Sequence, residues 1–560
     1  MISLETFFSI PILVLSVAAA VHATAYIHGE ARRHLVRFWG FFMVTVASML
    51  AVVHVGGKLQ FLLAWEAMGL SSAGLVAFES KEKSVKKATW IYLLACHAGA
   101  CAFMLAGVLL SRPEAYFAAF ACAFVASALK IGFPPFHSWL PEAHPASPAP
   151  ASAIMSASMI PLGFLPLIKY FGSCGFSDIP FAPWLFLVFG AVGAVGGILF
   201  ALPQANIKRL LAFSSVENMG VVAMGIGLSA LFLNRKVGGE AHLLCFAAAM
   251  AHILNHAFLK GSLFLAAGSV LRQTGTLDQD RLGGLLRRMP FTGSIFAINA
   301  FALSGLPPFN AFIGELALYI GAFLAIKSGD SVLVAAGFLV ALALSITGAL
   351  AVPSYIKAIG SIFLGEPRSL SAQEAVETPK RMWLSMLFLT LLSIAMIPGS
   401  VIFIHSMTGG FATQILMTAA ILGLVFVFIS ASLIFIRRFV CKRGASKPRM
   451  PVWDCGYDAP TPRMAYTATA FTQPLADFFI FYLKSRRHVM PFKLSPASPT
   501  DAAIAVETDD LALTALWRPL FTKIARLCQR AHLLQNGSLH LYILVGLVAL
   551  ILLLIFALVS

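Results

Sequence analysis

The chain has 560 residues, 59% of them hydrophobic and only 11% charged, and a formal net charge of +16. Ordinary globular domains are about 25% charged, so a soluble chain of this size could not hide so much apolar surface. The positive balance does not indicate nucleic acid, because Lys and Arg gather in short loops between apolar runs, as membrane topology requires.

Runs near twenty residues with few charges recur, each long enough to cross about 30 Å of hydrocarbon. About 14 spans are expected, near 7–27, 38–55, 58–78, 88–110, 115–140, 150–171, 181–201, 209–233, 242–270, 292–325, 331–355, 382–404, 411–436 and 540–558. The fold class is therefore an all-α polytopic membrane protein. The opening segment, within 1–37, carries Glu5 and no basic residue ahead of its apolar run, so it reads as a retained N-terminal helix rather than a signal peptide.

Loops after spans 1, 3, 9 and 11 hold the basic residues: Arg32, Arg33 and Arg37; Lys81, Lys83, Lys86 and Lys87; Arg272, Arg281, Arg287 and Arg288; Lys357, Arg368, Lys380 and Arg381. The positive-inside rule puts these loops in the cytoplasm and both termini outside. Residues 437–539, after the additional spans of 361–436, then form a cytoplasmic extension before a last span within 540–560. Its end, DLALTALWRPLFTKIARLCQRAHLLQ (510–535), alternates apolar and basic residues at helical spacing, which suits an amphipathic helix on a membrane or subunit surface.

The fifth and tenth spans each break on the same motif. GFPPFHSWLPE (132–142) returns as GLPPFNAFIGE (305–315), with a glutamate six residues after the shared Phe. Pro134, Pro135, Pro307 and Pro308 remove backbone donors and free carbonyls. In hydrocarbon those groups survive only if protein or internal water satisfies them. A packing kink would explain one copy; two copies with matched glutamates suit hydrated pockets near mid-membrane. WEAMGL (65–70) on span 3 likewise resembles VENMGV (216–221) on span 8. Both pairs lie five spans apart, and an odd separation reverses direction. Spans 2–6 (38–171) and 7–11 (172–360) are thus expected to form an inverted five-helix repeat with two broken helices, an architecture that places ion sites at the breaks.

Ionisable residues inside spans are costly and are functional candidates by default. Glu66 and Lys130 occupy the first half; a buried lysine can hold or release a proton according to the distance of a carboxylate, though a static ion pair is the duller alternative. Glu217, His252, His256, Lys260 and Glu315 occupy the second. His252, His256 and Lys260 recur at i, i+4 and i+8 on one helix face and suit a proton relay. Two such histidines could hold a metal, but no third ligand is evident, so no metal site is expected. Lys208 and Arg209, at a span boundary, read as topology determinants.

Cys96, Cys101, Cys122, Cys174, Cys245, Cys441, Cys455 and Cys528 show no cluster-binding spacing. GAVGAVGG (190–197) lies inside a span, where small residues serve close helix packing rather than dinucleotide binding. No cofactor and no redox active site are expected in this chain.

The segments WE (65–66), ALKIGFPPFHSWLPEAHPASPAPASA (128–153), IKRLLAFSSVENMG (207–220), LNHAFLKGSLFLAAGSV (254–270) and LSGLPPFNAFIGE (303–315) resemble the antiporter-like subunit family. That family is shared by respiratory complex I, Mrp-type cation/proton antiporters and membrane-bound hydrogenases. SVENMG and WDCGYDAPTPRMAYTATAF (453–471) look most like the large membrane subunit of formate hydrogenlyase and hydrogenase-4-type complexes. The resemblance implies a Glu66–Lys130 ion pair in a first half-channel, His256 and Lys260 on a central polar axis, and Glu315 as the terminal group of the second. It also implies partner membrane subunits, a peripheral redox arm carrying iron–sulfur and nickel–iron groups, and a bacterial or archaeal cytoplasmic (inner) membrane. One departure stands out: many relatives carry a basic residue where this chain has Pro161, so Ser156, Ser158 or Lys169 must bridge that gap, or the first half-channel is unconnected.

The resulting expectation is a subunit translocating protons or sodium ions for a hydrogenase-type or complex I-like oxidoreductase. The alternatives are a cation/proton antiporter subunit with a non-redox partner, and a non-pumping scaffold.

Overall fold

The computed structural model describes residues 3–172 and 179–441 and, beyond them, parts of 462–551. Helices begin and end where the sequence supplies caps. Ser3 accepts from the Thr6 amide at the start of α1 (Leu4–Tyr26). The spans α2 (Arg32–His54), α3 (Lys58–Val76) and α4 (Lys83–Leu109) follow with short turns, and α5 (Tyr116–Ile131) stops at Gly132, which takes the left-handed conformation at φ 81°. Glycine reaches that region at little steric cost.

Past the first break the chain continues through short helices α6 (Leu140–Ala146), α7 (Ala149–Ile154) and α8 (Leu165–Phe171). Between α7 and α8 the backbone widens into a π-turn over Met155–Met159 and tightens over Pro161–Phe164. Pro161 donates no N–H, and such irregular turns tend to mark functional segments.

The second half runs through α9 (Ala182–Ala201), α10 (Ile207–Arg235) and α11 (Ala241–Thr274). Asn206 caps α10 by accepting from the Lys208 and Arg209 amides at 2.9 and 3.2 Å. A short turn α12 (Leu285–Arg288) leads to α13 (Pro290–Leu303), and the second break separates α13 from α14 (Asn310–Lys327). Asp330 caps α15 (Ser331–Phe363); α16 (Leu370–Glu374), α17 (Lys380–Thr408) and α18 (Thr413–Cys441) complete the bundle.

Among the described residues, 13 helical stretches are long and apolar enough to cross a membrane. They correspond one for one to the first 13 expected spans; the expected fourteenth, 540–558, falls mostly outside the described residues. Because the second break is wide, the tenth span begins at Asn310 rather than near 292. Helix α10 is the most enclosed of the long single helices and α18 the least, with 94% and 11% of their apolar windows buried. The enclosed helices carry the polar residues.

The run 190–197 packs as its composition suggests. A Cβ on Gly197 would meet the Glu217 amide at 2.5 Å, and one on Gly190 would meet the Gly220 carbonyl at 2.8 Å. The backbones of α9 and α10 are therefore in contact, which small residues permit.

Beyond the bundle, α19 (Ala468–Phe478) and α20 (Ile480–Leu483) are followed by two short antiparallel ladders, Arg486–Val489 with Ile504–Glu507 and Leu494–Ser495 with Ser498–Pro499. The carboxylate of Asp280 accepts from the Thr469 amide at 3.1 Å and from its hydroxyl, and Arg368 donates to the Tyr466 carbonyl at 2.9 Å. These contacts tie the end of the 453–471 segment to the loops after spans 9 and 11, two of the four that the charge pattern puts in the cytoplasm. Most of that segment lies outside the described residues.

Residues 509–560 form a separate unit. In it α21 (Arg518–Ala531) exposes Leu520, Phe521, Ile524 and Leu527 between its basic residues.

Candidate functional site

The two breaks share a backbone. Gly132 and Gly305 are both left-handed, and both Pro-Pro bonds, 134–135 and 307–308, are cis. What lies over each glycine differs. A Cβ on Gly132 would collide with the Leu140 side chain, and one on Gly305 with the Glu315 carboxylate.

In the first half, Lys130 is buried at the end of α5, with its ammonium 5.6 Å from the centre of the Trp65 ring. A cavity of about 10 Å³, room for one water, lies against it between Trp65, Cys96, Gly99 and Trp139. Trp139, just past the break, donates to the Leu129 carbonyl at 2.7 Å and so satisfies a group that the end of α5 would leave unpaired. Glu66 is next in the chain to Trp65, whose ring faces the Lys130 ammonium, and makes no ion pair with Lys130 among the described residues. The Glu66 carboxylate turns instead to His97 of α4, 3.9 Å from Nδ1. Glu142, the first-break glutamate, pairs with Lys87 at 3.3 Å and Arg209 at 3.5 Å.

In the second half, α11 presses its polar face on α10. Lys260 donates to the Leu211 carbonyl at 2.8 Å and to the Ser214 hydroxyl at 2.5 Å. His252 Nε2 lies 3.0 Å from Asn218 Oδ1. His256 stands between them, buried, with neither ring nitrogen hydrogen-bonded among the described residues. Glu217 is buried on the α10 side with one carboxylate oxygen unpartnered, and Glu315 is half-buried. The Nδ1 of His252 lies 3.5 Å from the Cβ position of Gly314, so α14 brings Glu315 beside the row. The Tyr355 hydroxyl of α15 is also buried, beside Ser214. Buried polar atoms are rarely left unpaired, and ordered water is the usual partner of those that no protein group reaches.

Between the two sets stands His144 of α6, fully buried, with both ring nitrogens unpartnered and its ring 5.0 Å from that of Phe264 and 6.3 Å from that of Trp139. The charged side chains acting on it are Lys208 and Lys260. Lys208 donates to the Ser147 carbonyl at 2.7 Å.

Residues 58–345 match the family described as NADH:quinone oxidoreductase/Mrp antiporter, TM. The chain belongs to this family. It is an antiporter-like multi-pass membrane subunit. Hydrogenase-4 component B of Escherichia coli is 31% identical over 99% of this chain and 88% of its own length. Formate hydrogenlyase subunit 3 of the same organism is 33% identical over 66% of this chain and 61% of its own length. The solved membrane-bound sulfane sulfur reductase, an archaeal respiratory membrane complex, contains a chain of the same fold. The TM-score is 0.74 at 21% identity, covering 99% of this chain and 88% of that one.

Within this antiporter-like frame several expectations are corrected. Lys208 is not a surface topology charge: it is 1% exposed and reaches inward beside His144. Arg209 does stay at the boundary, held by Glu142. Lys169 cannot fill the gap at Pro161, because its ammonium is 3.2 and 2.5 Å from the Val53 and Val55 carbonyls, where it caps α2. Ser156 does reach across, 2.8 Å from Ser215 of α10, whereas Ser158 turns to the Pro11 carbonyl of α1 at 3.4 Å. His97 and His144 were missed by the sequence reading, although each is an ionisable residue in an apolar run and met the criterion that picked out Lys130. Among the described residues, no group of three His, Cys, Asp or Glu gathers where it could hold a metal ion.

Proposed function

We propose that this chain carries protons across the membrane for a hydrogenase- or formate-hydrogenlyase-type oxidoreductase. Electron transfer, with its iron–sulfur and nickel–iron groups, would reside in partner subunits. The observation that carries the reading is the buried row of Lys260, His256 and His252 against Ser214 and Asn218, set between the two breaks. Lone pairs and N–H groups without protein partners are what a hydrated proton path leaves behind.

The path starts at Glu66, passes Lys130 and Trp139, and reaches His144 with Lys208. It then runs through Lys260, His256 and His252 to Glu217 and Glu315. Imidazole accepts on one nitrogen and donates from the other, so His144 and His256 can pass a proton without moving far. His144 takes over the task expected at position 161, which speaks against the scaffold reading.

What supports the inverted halves is a pair of lysines at corresponding places. Lys169, near the end of span 6, caps the end of span 2; Lys357, near the end of span 11, caps the end of span 7 through the Leu202 and Gln204 carbonyls at 2.5 and 2.8 Å. By the charge pattern the two caps lie on opposite membrane faces.

The test is proton uptake by proteoliposomes holding the whole complex, driven by its own electron donor. Lys260→Ala and His144→Leu are expected to lower uptake by about 100-fold and about 10-fold with assembly and electron transfer retained. Normal coupled uptake in Lys260→Ala would overturn the path.

A further inference from the structure

One face of α4 joins two openings. Val85, Ala88, Tyr92, Cys96 and Gly99 follow one another at steps of three, four, four and three, so they share a side of the helix. Val85 and Ala88 wall a cleft of about 290 Å³ that Glu79, Glu82, Glu142 and Arg209 also line. The charge pattern puts that end of α4 in the cytoplasm. Cys96 and Gly99 wall the one-water cavity against Lys130. Ala88 and Cys96 are eight residues apart, about 12 Å of helix. Tyr92 stands midway between them.

Tyr92 is fully buried, and its hydroxyl lies 2.6 Å from Ser72 Oγ of α3. Ser72 donates its own hydrogen to the Met68 carbonyl at 2.6 Å, which leaves its oxygen to accept from Tyr92. The Cys96 thiol is within hydrogen-bonding reach of the same hydroxyl, and the charged side chains acting on that thiol are Lys130 and Glu66. Gly69 makes room for it: a Cβ there would meet Cys96 Cβ at 3.2 Å and Sγ at 3.4 Å. Side chains on a helix lean toward its N-terminus, so Tyr92 leans toward the cleft and Cys96 toward Tyr92. A core tyrosine and a cysteine serving as a small apolar residue would account for the burial. They would not account for two polar groups set in line between a cleft and a buried ammonium.

We infer that Tyr92 and Cys96 carry protons from the cytoplasmic cleft to Lys130. The Tyr92 oxygen takes a proton from cleft water while its own O–H proton passes to the Cys96 sulfur. The Cys96 S–H proton passes through the cavity water to the Lys130 amine. One proton moves, the hydroxyl and the thiol are left neutral, and O–H and S–H rotate back before the next transfer. A hydroxyl and a thiol can each donate and accept, which such a step needs. The inference rests on Lys130 lying on the proton path proposed above and names how that lysine is loaded. Glu66 stays the charge at the head of the path, and the inlet supplies the protons.

The first test is donor-driven uptake by proteoliposomes holding the whole complex. Tyr92→Phe and Cys96→Ala are each expected to lower uptake by about ten-fold. Cys96→Ser is expected to recover most of the loss, because its hydroxyl donates and accepts where a methyl does neither. Packing alone predicts the reverse order, since Ala keeps the site apolar and Ser does not. The second test reads no flux. The complex, without its electron donor, is moved into heavy water, and the S–H stretch of Cys96 is followed as it becomes S–D. That stretch is the infrared band lost in Cys96→Ser. Tyr92→Phe is expected to slow the exchange by at least about five-fold. Normal uptake in Tyr92→Phe, no recovery in Cys96→Ser, or exchange at the native rate in Tyr92→Phe would each overturn the inlet. Normal uptake in Lys260→Ala with slowed exchange in Tyr92→Phe would instead overturn the path beyond Lys130 and leave the inlet standing.

Discussion

Both halves of this membrane protein carry a glutamate in a W/V-E-x-M-G segment and a glutamate beyond a Gly-x-Pro-Pro break, but they place them in opposite surroundings. In the first half Glu66 is partly exposed beside His97, and Glu142 opens on a cleft of about 290 Å³ and is neutralised by Lys87 and Arg209. In the second, Glu217 is buried beneath Gly197 with an unpartnered oxygen, and Glu315 lies on Gly305. The motif sets the backbone, because two prolines and a left-handed glycine admit few conformations. The neighbours set the chemistry. A carboxylate held by two cations at a rim is a structural and electrostatic element, and one packed on a bare glycine in the bundle has no such ion pair.

The largest effect that could break this comparison comes from neutralising the paired glutamates. Glu315→Gln is expected to lower donor-driven proton uptake by about 100-fold, and Glu142→Gln to leave it within about two-fold. Equal losses would mean that the two breaks work alike after all.

A Cβ at the break glycines probes the same contrast. Each substitution, Gly132→Ala or Gly305→Ala, costs about 1–2 kcal/mol for the left-handed backbone. At Gly305 the methyl also displaces the Glu315 carboxylate, so uptake should fall along with thermal stability. At Gly132 it presses on Leu140, and stability should fall with uptake largely kept.

The glycines of the second motif separate the halves by packing alone. Gly220→Ala drives a methyl into the Ala194 backbone and is expected to destabilise by about 1–3 kcal/mol. Gly69→Ala meets only the Cys96 side chain at 3.2 Å, and a smaller loss of melting temperature should follow.

The smallest effect calibrates a carboxylate with no part in the path. Asp330 accepts from Arg235 at 2.8 Å and from the Leu333 and Val332 amides, and these partners hold its carboxyl below the usual aspartate range. A depressed acid stabilises the fold above its unfolded pKa and loses that contribution as pH falls through the folded one. The melting-temperature deficit of Asp330→Asn should thus be constant from neutral pH down to the ordinary aspartate range and shrink below it. Uptake should not change.

Much of this could be read from the chain. Thirteen spans, both breaks, the close packing of 190–197 and the shared face of His252, His256 and Lys260 all follow from apolar run length, proline chemistry and helical period. These are local properties, and a membrane enforces them because no backbone group can go unpaired in hydrocarbon. Lys208, Lys169, His97 and His144 could not be placed that way. Two lysines of similar context at span ends went to different tasks, one inward beside a histidine and one to cap a neighbouring helix. Which task each took depended on whether a neighbour's carbonyls or a buried ring came within reach. Sequence by itself determined where the helices lie and where they break. Only the packing of α3 on α4, α9 on α10 and α14 on α11 decided which charges face outward and which are sealed inside, because exposure belongs to the assembly of helices and not to any one of them.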